Sequence, residues 1–149
     1  MPEITQIKIG TLNLFMQHTS CSITLNESWD GDVKDDIEML LNRLIPEKLN
    51  YKHSCEGPDD MPAHAKHAIL SGSNVTIPIT DGKMNLGTWQ GVWFIEHRNQ
   101  KSSRKVIATL NGCKMPTFPP SPPVLFSTRR YIAYLCNTTP FSISVVSNT

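Results

Sequence analysis

The stretch VTIPITDGKMNLGTWQGVWFIEH, residues 75–97, decides the fold. Its first five residues are apolar or β-branched, and Asp81-Gly82 behind them is a strong hairpin signal. The turn leads toward residues 86–97, a strand candidate with Trp89, Trp93, Ile95 and His97 on one face and Val92 and Phe94 on the other. Working outward, residues 99–103 turn the chain and 104–110 alternate as a further strand. Upstream, a short helix is expected between a cap at Asp59 or Asp60 and Gly72, with Pro62 in its first turn. Residues 47–60 before it read as a long surface loop. A longer helix precedes the loop. Val33, Ile37, Leu40, Leu41 and Leu44 recur at helical spacing, Asp30 can cap it, Arg43 sits in its last turn and Pro46 stops it. Residues 5–9, 12–18 and 22–26 read as strands, with Gly10 breaking the first and Leu12, Leu14, Met16 and His18 sharing a face of the second. Two helices among mixed, mainly antiparallel sheets give an α+β fold.

The 149 residues suffice for one compact domain, and the formal charge of +1 hides an asymmetry. Residues 1–112 carry 11 basic and 13 acidic groups, whereas the last 37 carry Lys114, Arg129 and Arg130 and no acid. With no Lys/Arg block, a nucleic-acid partner is not expected, because phosphate contacts need clustered positive charge. No stretch approaches the roughly 18–20 apolar residues of a membrane span, and residues 1–10 lack the apolar core of a signal peptide. Reduced thiols and a cytoplasmic location are therefore expected, and the four cysteines show no C-x-x-C spacing for a zinc knuckle.

The richest chemistry lies in YKHSCEGPDDMPAHAKH, residues 51–67, which holds three histidines, Glu56, Asp59, Asp60 and two lysines. Imidazole and carboxylate are ordinary metal ligands, and a loop can fold them onto one ion. The bland alternative is a solvated acidic loop whose aspartates cap a helix. His64 and His67 stand three apart on the expected helix, and His67 reads as an ordinary residue. His18 and His97 each end an apolar strand face, where an imidazole lines a pocket or sits as a satisfied edge residue. His18 beside Ser20 and Cys21 invites a nucleophile reading, but no G-x-S-x-G elbow supports it. Glu27 and Asp30 are acid–base or metal candidates, with capping as the alternative for Asp30. Arg98 can bind an anion or form a surface salt bridge.

Three blocks, HTSCSITLNESWDGDVKDDIE, YKHSCEGPDDMPAHAKHAIL and MNLGTWQGVWFIEHR, together resemble the YjbQ family, also called UPF0047, across residues 4–112. The resemblance implies an α+β homotrimer with a site built from histidines and acids around a divalent metal, Zn or Mg. It also implies a secondary thiamine-phosphate synthase activity on a small phosphorylated substrate. That reaction joins a pyrimidine diphosphate to a thiazole phosphate and releases pyrophosphate. Carried onto this chain, the family's blocks fall on His18, Thr19 and Ser20, on Asn26, Glu27 and Asp30, on residues 51–66, on 86–91 and on Glu96, His97 and Arg98. The metal set is then His53, His64 and His97. His18, Glu27 and Asp30 are the catalytic candidates. Ser20, Asn26, Glu56, Asp60, Lys66, Trp89, Gln90 and Arg98 are the substrate contacts.

Two departures from the family pattern are expected. Members begin with a further strand and helix ahead of the point where this sequence starts, so a domain over 1–112 is N-terminally truncated. Residues 113–149 fit no family pattern. Ser, Thr and Pro make up 16 of those 37 residues, which reads as a disordered variant C-terminus. The competing readings are a non-catalytic trimeric protein that binds a small anion or serves assembly, and an inactive truncated variant.

Overall fold

A computed structural model describes residues 2–100, 102–116 and 139–146, the last eight as backbone alone. A 3-10 turn over Pro2–Gln6 leads into β1 (Ile7–Met16), followed by β2 (Cys21–Glu27), α1 (Asp32–Leu44), α2 (Asp60–Ile69), β3 (Asn74–Thr80), β4 (Lys83–Met84), β5 (Gln90–Glu96), β6 (Ser103–Lys114) and β7 (Thr139–Val146). Five strands form one sheet in the order β4-β3-β1-β6-β7, and β2 pairs with β5 in a separate ribbon. Every pairing is antiparallel. The fold is α+β.

Strand alternation makes the core. Leu12 lies between Ile77 and Leu110, and Leu14 between Val75 and Ala108. These residues, with Met16, Ile79 and Val106, form one apolar face of the large sheet. Cys21 and Ile23 of β2 close over it, joined by the partly buried Leu25, Val92 and Phe94. Burial of each such aliphatic side chain contributes about 1.5–3 kcal/mol, and a one-residue slip would turn the whole face to water. Register is therefore strongly fixed.

Several expectations need correction. Gly10 does not break a strand; β1 runs through it, because Gly10 opposes Gly112 where β1 and β6 come together. A Cβ there would lie 2.1 Å from the Asn111 carbonyl oxygen, so only glycine permits the approach. Asp81 and Gly82 adopt φ of 49° and 75°, the left-handed pair of a tight hairpin turn. That hairpin, however, leads only to the two-residue β4. The strand expected at 86–97 begins at Gln90 and belongs to the ribbon, so Trp89 lies outside it and is exposed. Gly31 rather than Asp30 is the N-cap residue of α1; Asp30 Oδ1 accepts the Asp32 N–H at 2.9 Å in the turn just ahead. Residues 139–146, assigned to the disordered tail, pair with β6 along residues 103–110. Alternation of Phe141, Ile143 and Val145 with serines suits a strand better than their serine content suggests. Residues 117–138 and 147–149 lie outside the described residues.

α1 buries only Leu41 along its length, while Leu40 and Leu44 stay largely exposed. It stands over β5 without closing on it. Among the described residues no helix is long and apolar enough to cross a membrane.

Candidate functional site

The head of α2 gathers the loop chemistry. Asp60, at its first position, is buried, and His64 follows one turn later on the same side. The preceding loop brings back His53, whose ring centroid is 5.4 Å from that of His64. His53, Asp60 and His64 each present a ligand atom within 4.8 Å of the others. His53 Nε2 lies 2.8 Å from Asp60 Oδ2 and His64 Nε2 lies 3.4 Å from Asp60 Oδ1. Asp60 Oδ2 is buried and has no hydrogen-bond partner, so the His53 contact is a close approach rather than a directed bond. A buried carboxylate oxygen left in this way is costly unless something completes it.

The surroundings orient the cluster. His64 Nδ1 donates to the Thr19 carbonyl at 2.9 Å, which leaves Nε2 of the neutral ring as a lone pair facing Asp60. Arg98, just beyond β5, donates from Nη1 to Asp60 Oδ1 at 2.7 Å, from Nε to Asp59 Oδ2 at 3.0 Å and from Nη2 to the Glu56 carbonyl at 2.8 Å. Burial opposes ionisation of Asp59, but the Asn99 N–H and the Arg98 guanidinium outweigh it and hold its carboxyl below the usual range. The loop is thus tied to the end of β5 by charge-assisted bonds.

His18 stands beside the cluster. Its Nδ1 accepts the Ser20 N–H at 3.1 Å, so a neutral ring carries its proton on Nε2, 3.0 Å from Arg104 Nη1. Each ring nitrogen therefore faces a donor. Burial and the Arg104 charge both push the His18 pKa below its ordinary value. Arg104 is itself clamped by Glu96, Nε to Oε2 at 2.7 Å and Nη2 to Oε1 at 3.1 Å. Ser20 is buried against His18, with Oγ 3.0 Å from Nδ1.

The remaining expected residues lie elsewhere. His97 does not join His53 and His64. It is buried with Nε2 2.8 Å from Ser22 Oγ, and burial, helped by Lys66, lowers its pKa to about 4. Its strand phase carries it behind β2 rather than into the loop, and Asp60 takes its place as the third donor. Lys66 points to Asn42 of α1, Nζ to Oδ1 at 2.6 Å, and Arg98 is spent on the acids, so neither is a free anion contact beside the cluster. Glu56 is exposed and touches Arg98. Asn26, Glu27, Asp30, Trp89 and Gln90 gather at the other end of the ribbon, about 20 Å along β2 at ~3.3 Å per residue. There Glu27, Trp89 and Gln90 line a shallow hollow of about 450 Å³. Gln90 Oε1 accepts the Gly87 N–H, and Asn26 Oδ1 accepts the Glu27 N–H, both at 2.8 Å. His67 is structural, donating from Nδ1 to the Cys21 carbonyl at 2.7 Å.

Known proteins are similar to this chain. The family described as UPF0047 protein YjbQ-like matches residues 3–113. The chain belongs to the YjbQ (UPF0047) family. It is 45% identical over 112 residues to UPF0047 protein YjbQ of Escherichia coli O157:H7, covering 75% of this chain and 80% of that protein. It is 34% identical over 92 residues to UPF0047 protein YugU of Bacillus subtilis, covering 62% and 67%. The crystal structure of an uncharacterized conserved YjbQ/UPF0047 protein of Clostridium acetobutylicum superimposes with a TM-score of 0.63 at 36% identity, covering 70% of this chain and 77% of that one. A YbjQ-like protein of unknown function from Sulfolobus solfataricus shares the fold at TM-score 0.61 and 23% identity, covering 70% and 79%.

Sequence reasoning misses Arg104 and misassigns the role of Asp59. The signal for Arg104 is its phase: it occupies the same alternation as the buried Val106, Ala108 and Leu110, where a charge needs a partner. Asp59 reads as a helix cap, yet its side chain caps nothing and serves Arg98 and Asn99 instead.

Proposed function

We propose that this member of the YjbQ family is a metal-assisted transferase of small phosphorylated molecules, with His53, Asp60 and His64 as the metal ligands. One observation carries the reading: three converging donors in which a buried carboxylate oxygen, Asp60 Oδ2, has no hydrogen-bond partner. Two imidazoles and one carboxylate suit zinc or a similar transition ion far better than magnesium, which prefers an all-oxygen shell. Such an ion, when bound, supplies Lewis-acid stabilisation of a diphosphate leaving group.

The chain's own groups then have defined tasks. Arg98 holds Asp60 in place through Oδ1, and the Thr19 carbonyl fixes the His64 tautomer. His18 Nε2–H and Arg104 Nη1, 3.0 Å apart, are two donors facing each other, an arrangement an anionic oxygen relieves. The reaction proposed is the thiamine-phosphate synthase reaction. A thiazole nitrogen lone pair forms the new N–C bond, the C–O bond to the pyrimidine diphosphate breaks, and pyrophosphate leaves with that electron pair. No proton has to move, so His18 acts here as an anion donor rather than a base. A homotrimer is part of the same proposal.

The test is elemental analysis of the purified full chain together with pyrophosphate release from the two precursors. About one transition-metal ion per chain is expected, lost in Asp60→Asn and His53→Ala, with release falling by roughly 100-fold. Absence of metal, with turnover intact in His53→Ala, would overturn the proposal. Precursor binding that depends on His18 but releases no pyrophosphate would favour a non-catalytic anion-binding protein instead.

A further inference from the structure

We propose that the cavity between α1 and β5 is a second ligand site, separate from the histidine cluster, and that it takes a small monocarboxylate on an aromatic or branched apolar body. The cavity has a volume of about 860 Å³, in the range of small-molecule sites. Ile37, Leu41 and Ile45 from the helix side and Trp93 and Ile95 from β5 give it an apolar patch, with polar and charged side chains making up the rest of the lining. Lys66 lines it from α2 and is itself buried. Of the three ammonium protons, the described hydrogen bonds use one, to Asn42 Oδ1. Among the described residues no carboxylate forms an ion pair with Lys66. A buried ammonium in that position is unfavourable without an anion to complete it.

The charge count selects the ligand. Lys34, Lys48, Arg98 and Lys66 line the cavity against Glu38, Glu47 and Glu96, an excess of one positive charge. Arg98 and Glu96 are ion-paired with Asp59 and Arg104, which leaves Lys66 as the buried lining cation with no ion-pair partner among the described residues. A single negative charge is matched, whereas a phosphate dianion meets the two glutamates in excess. His97 lines the same space and, being neutral near pH 7, adds no second cation; with Nε2 engaged by Ser22, Nδ1 is its remaining polar atom. Lys66 stands two residues after His64, about 200° round the helix, so the two sites use different flanks of α2. The inference does not rest on the metal.

The experiment titrates the full chain with 4-phenylbutyrate and with 4-phenyl-1-butanol, following the Trp93 indole N–H by NMR. The carboxylate should shift that signal saturably and the alcohol should not. Lys66→Met should weaken binding at least about tenfold and Lys66→Arg should keep part of it. Ile37→Trp, which fills the cavity from a half-buried helix position, should abolish it while the thermal transition stays cooperative. His53→Ala should bind 4-phenylbutyrate as the unmodified chain does, whatever that variant does to metal loading. The proposal is overturned by no saturable shift at about 10 mM, by equal binding of the alcohol, or by full affinity in Ile37→Trp. Full affinity in a folded Lys66→Met overturns it as well.

Discussion

Arg98 Nη1 and Asp60 Oδ1 meet at 2.7 Å, and this contact joins the end of β5 to the head of α2. The same guanidinium holds Asp59 and Glu56, so one cation balances the acids that would otherwise repel one another. Arg98→Met should remove all three contacts and leave a buried Asp60 charge unpaired. We expect a loss of about 3 kcal/mol, read from urea unfolding, because breaking one side of a buried pair is far costlier than losing a surface one. Arg98→Lys should recover only a fraction, since a point charge cannot span Asp59 and Asp60 together. A loss below about 0.5 kcal/mol would show that the contacts are dispensable.

His97 makes stability depend on pH. Its pKa lies near 4 in the folded chain, lowered by burial first and Lys66 second, against about 6.5 when unfolded. Between those values the unfolded chain binds the proton and the folded chain does not, so stability falls as pH drops from 6.5 towards 4 and levels off below. The shift corresponds to a loss on the order of 3 kcal/mol across that window. His97→Gln should flatten the curve in chemical denaturation at a series of pH values. His18, also lowered, contributes in the same direction, and its ring resonances should titrate below pH 6.5.

The cysteines should divide by burial. Cys21 is enclosed in the core, and desolvation with the nearby Glu96 charge raises its thiol to about 11. Cys55 and Cys113 are exposed. Iodoacetamide on the native protein should label Cys55 and Cys113 and spare Cys21 until denaturant is added, as peptide mapping by mass spectrometry will show. Native labelling of Cys21 at a comparable rate would contradict the packing of β2 on the sheet.

Two glycines should respond in opposite ways to alanine. At Gly10 the added methyl meets the Asn111 backbone at 2.1 Å, and backbone cannot rotate away. Gly10→Ala should cost about 3 kcal/mol or prevent folding. At Gly31 nothing lies within 4 Å and φ is −63°, so Gly31→Ala should change the stability by no more than about 1 kcal/mol in either direction.

Local signals were legible wherever one residue type dictated one backbone state. Pro62 and Gly72 bracketed α2, Pro46 closed α1, and Asp81-Gly82 announced a turn that the backbone makes. What a turn leads to is another matter. Asn85 N–H bonds back to the Pro78 carbonyl, and the chain then leaves for a different sheet, where Glu96 pairs with Cys21. Periodicity describes a residue's neighbours along the chain and carries no information on such distant partners. The site divided in the same manner. His53, Asp60 and His64 are close in sequence and come together, but His97 needed the ribbon's register to place it, and that register sets it against Ser22.

The β2–β5 ribbon has a consequence for genetics. Its Cys21–Glu96 end abuts the histidines, while its Glu27–Gln90 end carries the exposed Trp89, and within one copy a ligand of ordinary size touches one end or the other. Substitutions at the two ends have no shared partners at a separation of about 20 Å. Their effects on stability should therefore sum, within roughly 0.5 kcal/mol. Double variants such as Glu27→Gln with His64→Ala then become a sensitive instrument. Any departure from additivity in activity would mean that the two ends meet across a boundary between copies of the chain.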